Sequence, residues 1–316
     1  MEPGTRPATC QVRLGVWPTP LQPLDGHAGY YVKREDLCGL AFGGTKVRAV
    51  EPLLHDALAS GASCMVTGGR RDSNWAALAA IGADCAGLSC HCVYDPGPGI
   101  PLAMRLAARA GATLHVAPAP GAAAMNAAIT ALAAELGPSA YPVPRAGAAL
   151  PGLAGYRALA RELAWQLPPG PADIVVPIGS GGACAGLLLE FGEPPPDGGR
   201  GDIRIIGVPA GKTAGEATAA VQRLLAWAGG AGTLLGRLLV LPRTEARSPL
   251  ADRLAARSGV LLDPVFAGPA WHTFCTWQSR PNARDQRSVV LVASGGLPAY
   301  FDALNAGGDN GGGGDR

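Results

Sequence analysis

The chain has 316 residues, too many for one minimal core and suited to two α/β domains. Apolar residues make up 48% and charged residues 16%, which excludes a disordered or fibrous chain. The net charge is +2 with no long basic run, so nucleic acid is not an expected partner.

The first twenty residues carry Pro at 3, 7, 18 and 20 and no apolar signal-peptide core. No run approaches the roughly 18 apolar residues needed to cross a bilayer, so no membrane partner and a cytoplasmic location are expected. Eight Cys in a chain of this length are expected to be thiols and not a disulfide framework.

In chain order, short apolar runs predict strands at Tyr30–Lys33, Cys64–Thr67, Leu88–Tyr94, Thr113–Val116, Ile174–Ile178, Arg204–Val208, Leu238–Leu241 and Ser288–Ala293. Between and around them, Ala/Leu-rich segments predict helices near 46–60, 73–86, 100–110, 121–136, 153–167, 181–191, 214–228, 248–258, 267–279 and 296–305. This alternation predicts an α/β fold with parallel sheets covered by helices on both faces. Pro52 falls inside the first helix and predicts a kink or a later helix start. Pro- and Gly-rich links lie at Pro96–Pro101, Pro142–Pro151 and Pro194–Gly201. The second is the expected hinge and the third a surface loop. The tail Gly307–Arg316 has Gly at six of ten positions and is expected to be disordered.

Cys90-His91-Cys92 has the residue types of a metal site. It lies in a predicted strand, where neighbours point to opposite faces, and no second ligand pair stands at zinc-finger spacing, so no metal is expected.

Four short clusters carry chemistry. In Phe42-Gly43-Gly44-Thr45-Lys46, two Gly let the backbone turn sharply and hold the amine over a ligand. A nucleophilic lysine must be partly desolvated, and Lys46 has small and apolar neighbours. Lys occurs otherwise only at 33 and 212, and Lys33, beside Arg34, Glu35 and Asp36, suits a solvated ion pair. An exposed first-turn lysine is the plain alternative for Lys46. Gly68-Gly69-Arg70-Arg71-Asp72-Ser73-Asn74-Trp75 follows a strand and opens a helix. Ser73 suits its N-cap, and the free N–H groups there attract an anion such as a carboxylate. Gly179-Ser180-Gly181-Gly182-Ala183 follows the strongest strand and is a phosphate cradle of backbone amides. Cys184 stands where the dinucleotide fingerprint would need a third Gly. In Ala293-Ser294-Gly295-Gly296, Ser294 can cap a helix or reach a ring nitrogen. Gly211-Lys212-Thr213 imitates a P-loop, but Ile206 stands where that loop needs its first Gly, which argues against nucleotide hydrolysis.

Together, and in order, these clusters resemble the D-cysteine desulfhydrase and 1-aminocyclopropane-1-carboxylate (ACC) deaminase family of pyridoxal 5'-phosphate (PLP) enzymes, fold type II, tryptophan synthase β-like. The resemblance runs from about Thr19 to Leu304. Lys33-Arg34-Glu35-Asp36-Leu37 followed by Phe42–Arg48 looks like that family's Schiff-base lysine segment. Thr67-Gly68-Gly69 with Ser73-Asn74 looks like its substrate-carboxylate loop. Gly155-Tyr156 with Glu162 and Gln166 resembles the helix before its phosphate strand, Gly179–Gly182 its phosphate loop, and Ser294-Gly295-Gly296-Leu297-Pro298 its pyridine-nitrogen segment.

The resemblance implies two open-sheet domains. The larger, PLP-binding one spans 1–43 plus 152–306, and the smaller, 44–151, carries Lys46 and the Ser73-Asn74 loop. It also implies PLP as cofactor, a small amino-acid substrate and a homodimer. Lys46, Ser73 and Phe266 become the expected catalytic residues. Lys46, Asn74, Gly179, Ser180, Gly181, Gly182, Ala183 and Ser294 become the expected cofactor contacts, and Ser73, Asn74, Trp75 and Phe266 the expected substrate contacts. The chain departs from the family pattern at Thr45 (usually Asn), Trp75 (usually His or Gln), Ala183 (usually Thr) and Phe266, which replaces a Tyr near the cofactor. Trp75 and Phe266 predict a more apolar pocket, poor ring opening of ACC, and elimination from β-substituted alanines to a 2-oxo acid and ammonia. β-Replacement in a biosynthetic role and a non-catalytic PLP-binding protein are the alternative expectations.

Overall fold

The computed structural model describes residues 12–24, 26–192, 202–279 and 287–308. The strands are β1 (Leu21–Pro23), β2 (Tyr30–Lys33), β3 (Cys64–Gly69), β4 (Ser89–Tyr94), β5 (Thr113–Val116), β6 (Ala140–Pro142), β7 (Ala172–Ile178), β8 (Ile203–Pro209), β9 (Leu238–Val240) and β10 (Ser288–Val292). The helices are α1 (Lys46–Ala59), α2 (Asn74–Ala86), α3 (Leu102–Arg109), α4 (Ala122–Leu136), α5 (Leu150–Gln166), α6 (Gly182–Phe191), α7 (Ala214–Trp227), α8 (Pro249–Ser258), α9 (Ala267–Gln278) and α10 (Leu297–Gly308).

Two sheets form. The first is six-stranded, in the order β1-β2-β10-β7-β8-β9, and the second four-stranded, in the order β5-β4-β3-β6. Every pairing is parallel except β1 with β2. Parallel strands need both faces covered, and the central strands comply. Ile174, Val176 and Ile178 pack on α6 in one core, while Val175 packs with Trp271 and Phe274 of α9 in another.

Parallel order puts the strand-to-helix turns of a sheet at one end. In such sheets, ligands bind beyond the carboxyl ends of the strands. Here β3 leads into α2, β7 into α6, β8 into α7 and β10 into α10, and residues from each of these turns line one cavity.

Pro52 does not delay the start of α1, which begins at Lys46 and runs through it. A proline cannot donate to the carbonyl four residues back, here that of Arg48. Gly155 of α5 takes up the place beside that carbonyl, and a Cβ at Gly155 would lie 1.7 Å from the Arg48 oxygen. The helix thus tolerates its proline where another helix packs closest.

Lys33 is also corrected. It is fully buried, and its Nζ donates to Glu162, Gln166 and the Thr19 carbonyl, each at 2.7 Å. Arg48 of α1 donates to Glu35 at 2.6 and 2.8 Å and to Glu162 at 2.7 and 2.9 Å, with its guanidinium 4.0 Å from the Trp17 ring centroid. This buried network ties β2, α1 and α5 together two residues from Lys46.

α10 continues to Gly308, past the expected start of the tail; positions 309–316 and the expected loop Pro194–Gly201 lie outside the described residues. Among the described residues no helix is long and apolar enough to cross a membrane. His91 contacts His115 at 3.0 Å, and no group of three or more His, Cys, Asp or Glu stands close enough to hold a metal ion among the described residues.

Candidate active site

A cavity of about 770 Å³ opens between the carboxyl ends of the two sheets. Lys46, the first residue of α1, reaches into it. Its Nζ lies 3.2 Å from Ser180 Oγ and 3.3 Å from the Ala146 carbonyl oxygen. Burial, and then the nearby Lys212 ammonium, lowers its pKa from the ordinary 10.5 to about 8.

Gly44 makes this placement possible. It has φ +110°, and a Cβ there would stand 2.6 Å from the Ser294 oxygen and 3.1 Å from the Gly295 Cα. The next N–H, of Thr45, donates to that same Ser294 oxygen at 3.1 Å. The turn before Lys46 is thereby pressed against the segment after β10, joining two clusters some 250 positions apart in the sequence.

Ser73 caps α2, its hydroxyl accepting from the Ala76 N–H at 3.3 Å. Asn74 follows, with its Oδ1 buried and unpartnered, and Ser294 Oγ is buried and unpartnered as well. Both residues line the cavity. Buried polar atoms are rarely left unpaired unless they have a task or an absent partner. Gly179, Ser180, Gly181, Gly182 and Ala183 line the same wall, with Gly181 at the N-cap of α6 and its free N–H groups.

Phe266 is half-buried at the N-terminus of α9. Its ring edge lies 3.3 Å from where a Cβ of Gly179 would stand, so it faces the cavity beside the α6 turn. Asp263 holds it there, accepting from the N–H groups of Val265, Phe266 and Ala267 at 2.9, 2.6 and 2.8 Å. Trp75 borders the cavity but is only 2% exposed. Its indole N–H donates to Thr67 Oγ1 at 2.9 Å, and its ring packs under Gly147.

The lining carries charge besides these aromatic rings. Arg70, Arg145, Lys212 and Arg223 also line the cavity. In the sequence Arg145 and Arg223 carry no signal, Arg70 is one member of the Gly68–Trp75 cluster, and Lys212 reads as a scarce lysine and as part of an incomplete P-loop. Its Nζ donates to the Gly179 carbonyl at 2.5 Å. The available signal was position: Gly211-Lys212-Thr213 is a strand-to-helix turn of the same parallel sheet, so it had to reach the same end.

A model of the pyridoxal-phosphate dependent enzyme family matches residues 12–295. The chain belongs to this family. It is 29% identical over 312 residues to a Pyrococcus horikoshii protein named as a candidate 1-aminocyclopropane-1-carboxylate deaminase, covering 92% of this chain and 93% of the relative. It is 29% identical to the D-cysteine desulfhydrase of Salmonella newport over 310 residues, covering 90% and 93%. A crystal structure of an ACC deaminase homologue superposes with a TM-score of 0.78 at 28% identity, covering 94% of this chain and 95% of that one.

The cavity suits this family's cofactor. It offers a desolvated lysine, a glycine turn at a helix N-terminus for a phosphate, and two buried polar atoms awaiting partners. Gly181→Val tests the phosphate turn. At φ +93° a valine is strained, and its Cβ would crowd the Val221 N–H at 3.2 Å. Loss of one charge-assisted hydrogen bond amounts to about 1.5–3 kcal/mol, so PLP affinity is expected to fall roughly 10- to 100-fold. Fluorescence titration of apo-protein, with a thermal melt to confirm folding, measures this. An unchanged PLP affinity would put the phosphate elsewhere.

Proposed function

We propose that this chain is a PLP-dependent lyase that eliminates the β-substituent of a small amino acid, yielding a 2-oxo acid and ammonia. The observation that carries the reading is the convergence of a desolvated Lys46 amine, the capped N-terminus of α2 and the glycine turn of α6 on one cavity. The relatives named for deamination and desulfhydration support it.

Bound PLP supplies an electron sink for the carbon that carries the substrate's amino group. Gly181, Gly182 and Ala183 would receive its phosphate with backbone N–H groups, Asn74 its ring oxygen and Ser294 its ring nitrogen. Ser294 is a neutral hydroxyl and leaves that nitrogen without a carboxylate partner. Weaker electron withdrawal favours departure of a β-substituent over return of the proton. Ser73 and the free N–H groups of α2 hold the substrate carboxylate. The Lys46 amine takes the proton from the α-carbon. Phe266 has no proton to give, so a reaction that must protonate a carbon remote from Lys46 lacks a donor on that side.

The test is release of ammonia and 2-oxo acid from ACC, D-cysteine, β-chloroalanine and O-acetylserine. Turnover is expected with the β-substituted alanines and negligible with ACC. Rapid ACC turnover would overturn the part given to Phe266, and silence towards the whole panel would overturn the elimination reading.

A further inference from the structure

The cofactor phosphate and the substrate carboxylate have their own cradles, at the N-termini of α6 and α2. Neither explains the cations on the remaining wall. Lys212 and Arg223 come from the turn before α7 and from α7 itself, and Arg145 from the turn after β6. Arg70 reaches across to Gly211, its Nη1 3.5 Å from where a Cβ of Gly211 would stand.

The acidic side has little to offer. Asp72 lines the cavity and is paired with Arg70 at 2.8 Å. Arg145 meets Asp95 only at 3.8 Å. Among the described residues, neither Lys212 nor Arg223 has a carboxylate within 4.0 Å. The cations also feel one another: burial, then Arg145 and Arg223, lowers the pKa of Lys212, and Glu216, more than 4.0 Å away and engaged in the Thr213 cap, offsets only part of this. Like charges gathered around a void oppose folding and favour an anionic occupant.

The location says which anion. Lys212 Nζ donates to the Gly179 carbonyl while Lys46 Nζ lies 3.2 Å from Ser180 Oγ, the next residue, and 3.3 Å from the carbonyl of Ala146, the neighbour of Arg145. An anion held by Lys212 therefore sits beside the carbon that gives up its proton, where a β-substituent would be, and not at the far end of a long side chain.

We propose that the β-substituent of the substrate is itself an oxyanion ester, a phosphate or sulfate, received by Arg145, Lys212 and Arg223. This rests on the elimination reading above. With O-phosphoserine, the α-proton passes to Lys46 and the C–H electron pair becomes the Cα–Cβ double bond. The Cβ–O bond breaks with its pair on phosphate, and water converts the resulting enamine to pyruvate and ammonia. Charge grows on the departing oxygen as the bond breaks, so the cations bind the transition state more strongly than the ground state.

Isothermal calorimetry of the PLP-loaded protein with each enantiomer of O-phosphoserine and of serine reads an apparent Kd or KM whether or not turnover follows. O-phosphoserine is expected to bind at least about 10-fold tighter than serine, as one charge-assisted hydrogen bond implies. Arg145→Met and Arg223→Met should each cut that ratio several-fold, and added salt should shrink it. Equal affinity for the two ligands, or a ratio that survives both substitutions, overturns the proposal. So does a parallel fall in PLP affinity, which would assign these cations to the cofactor phosphate. β-Chloroalanine separates the two readings. If it is turned over without any preference for O-phosphoserine, this proposal alone fails. If neither β-chloroalanine nor O-phosphoserine releases 2-oxo acid while the binding preference stands, the elimination reading fails and takes the departure step with it, leaving the cations as an anion-recognition site only.

Discussion

Lys46→Ala is expected to lower kcat/KM by about 10³-fold or more and to abolish the covalent link to PLP. A positioned general base contributes roughly 10²–10⁴-fold, and the proposed role of this residue includes anchoring the cofactor. Borohydride reduction and peptide mapping of the unsubstituted protein should place the adduct on Lys46. An adduct on Lys33 or Lys212 would overturn the assignment. Lys33 is the less able competitor because its amine is saturated by Glu162, Gln166 and the Thr19 carbonyl. The pH dependence has a definite sign. Capture of the PLP aldehyde needs the neutral amine, and Lys46 titrates at about 8. Uptake by apo-protein should rise with pH through about 8 and level off above it, with about a tenth of the amine neutral at pH 7. The stability of the apo-protein follows the same shift. A lysine whose folded pKa lies below its unfolded value carries the full cost of its buried charge below about pH 8. That cost is relieved as pH rises from there to 10.5, so the stability gap between Lys46→Met and the unsubstituted apo-protein should close across this window. Lys46→Arg should not rescue activity, since a guanidinium stays protonated.

What could be read from the sequence was local or repeated. Each parallel strand that feeds a helix announces itself by an apolar run, a Gly-rich turn and a capping residue, and β3, β7 and β10 with the turns after them were legible on those grounds. β1 and β6 were not, because Leu21–Pro23 and Ala140–Pro142 are three-residue edge strands that each end in proline. Lys33 looked solvated because its sequence neighbours are charged. Its partners Glu162 and Gln166 lie more than 125 positions away, and only the packing of α5 on β2 and α1 removes water from it. Arg145, Lys212 and Arg223 were invisible as a group for the same reason, since each is an ordinary surface cation in its own segment. Trp75 shows the opposite limit. Its place after Ser73-Asn74 puts it at the cavity wall, but its packing against the turn at Gly147, far along the chain, could not be read from its neighbours.

The buried network beside Lys46 should make Arg48 the most stability-critical charge described in the protein. Glu35 is fully buried, and its ion-pair partner is Arg48. Arg48→Met leaves that carboxylate desolvated with, among the described residues, only the Thr19 hydroxyl bonded to its side chain. Breaking a buried pair from one side costs about 3–5 kcal/mol, whereas replacing both partners by neutral groups can be nearly free. Arg48→Met is therefore expected to lose about that much in denaturant unfolding, and adding Glu35→Gln should recover a large part. The acid limb carries a second signature. Burial pushes the Glu162 carboxyl up, but Arg48 and Lys33 outweigh it and hold its pKa below the ordinary 4.5. A carboxylate with a lowered folded pKa contributes stability above its unfolded value, and that contribution is lost as pH falls through the folded one. Unfolding followed below pH 4.5 should show this loss in the unsubstituted protein and a shallower one in Arg48→Met, where part of the pull on Glu162 is gone. A substitution that costs less than about 1 kcal/mol and leaves the acid limb unchanged would mean that water or a neighbouring backbone N–H replaces the guanidinium, and that α1 is held in place by its apolar packing against α2 and α5.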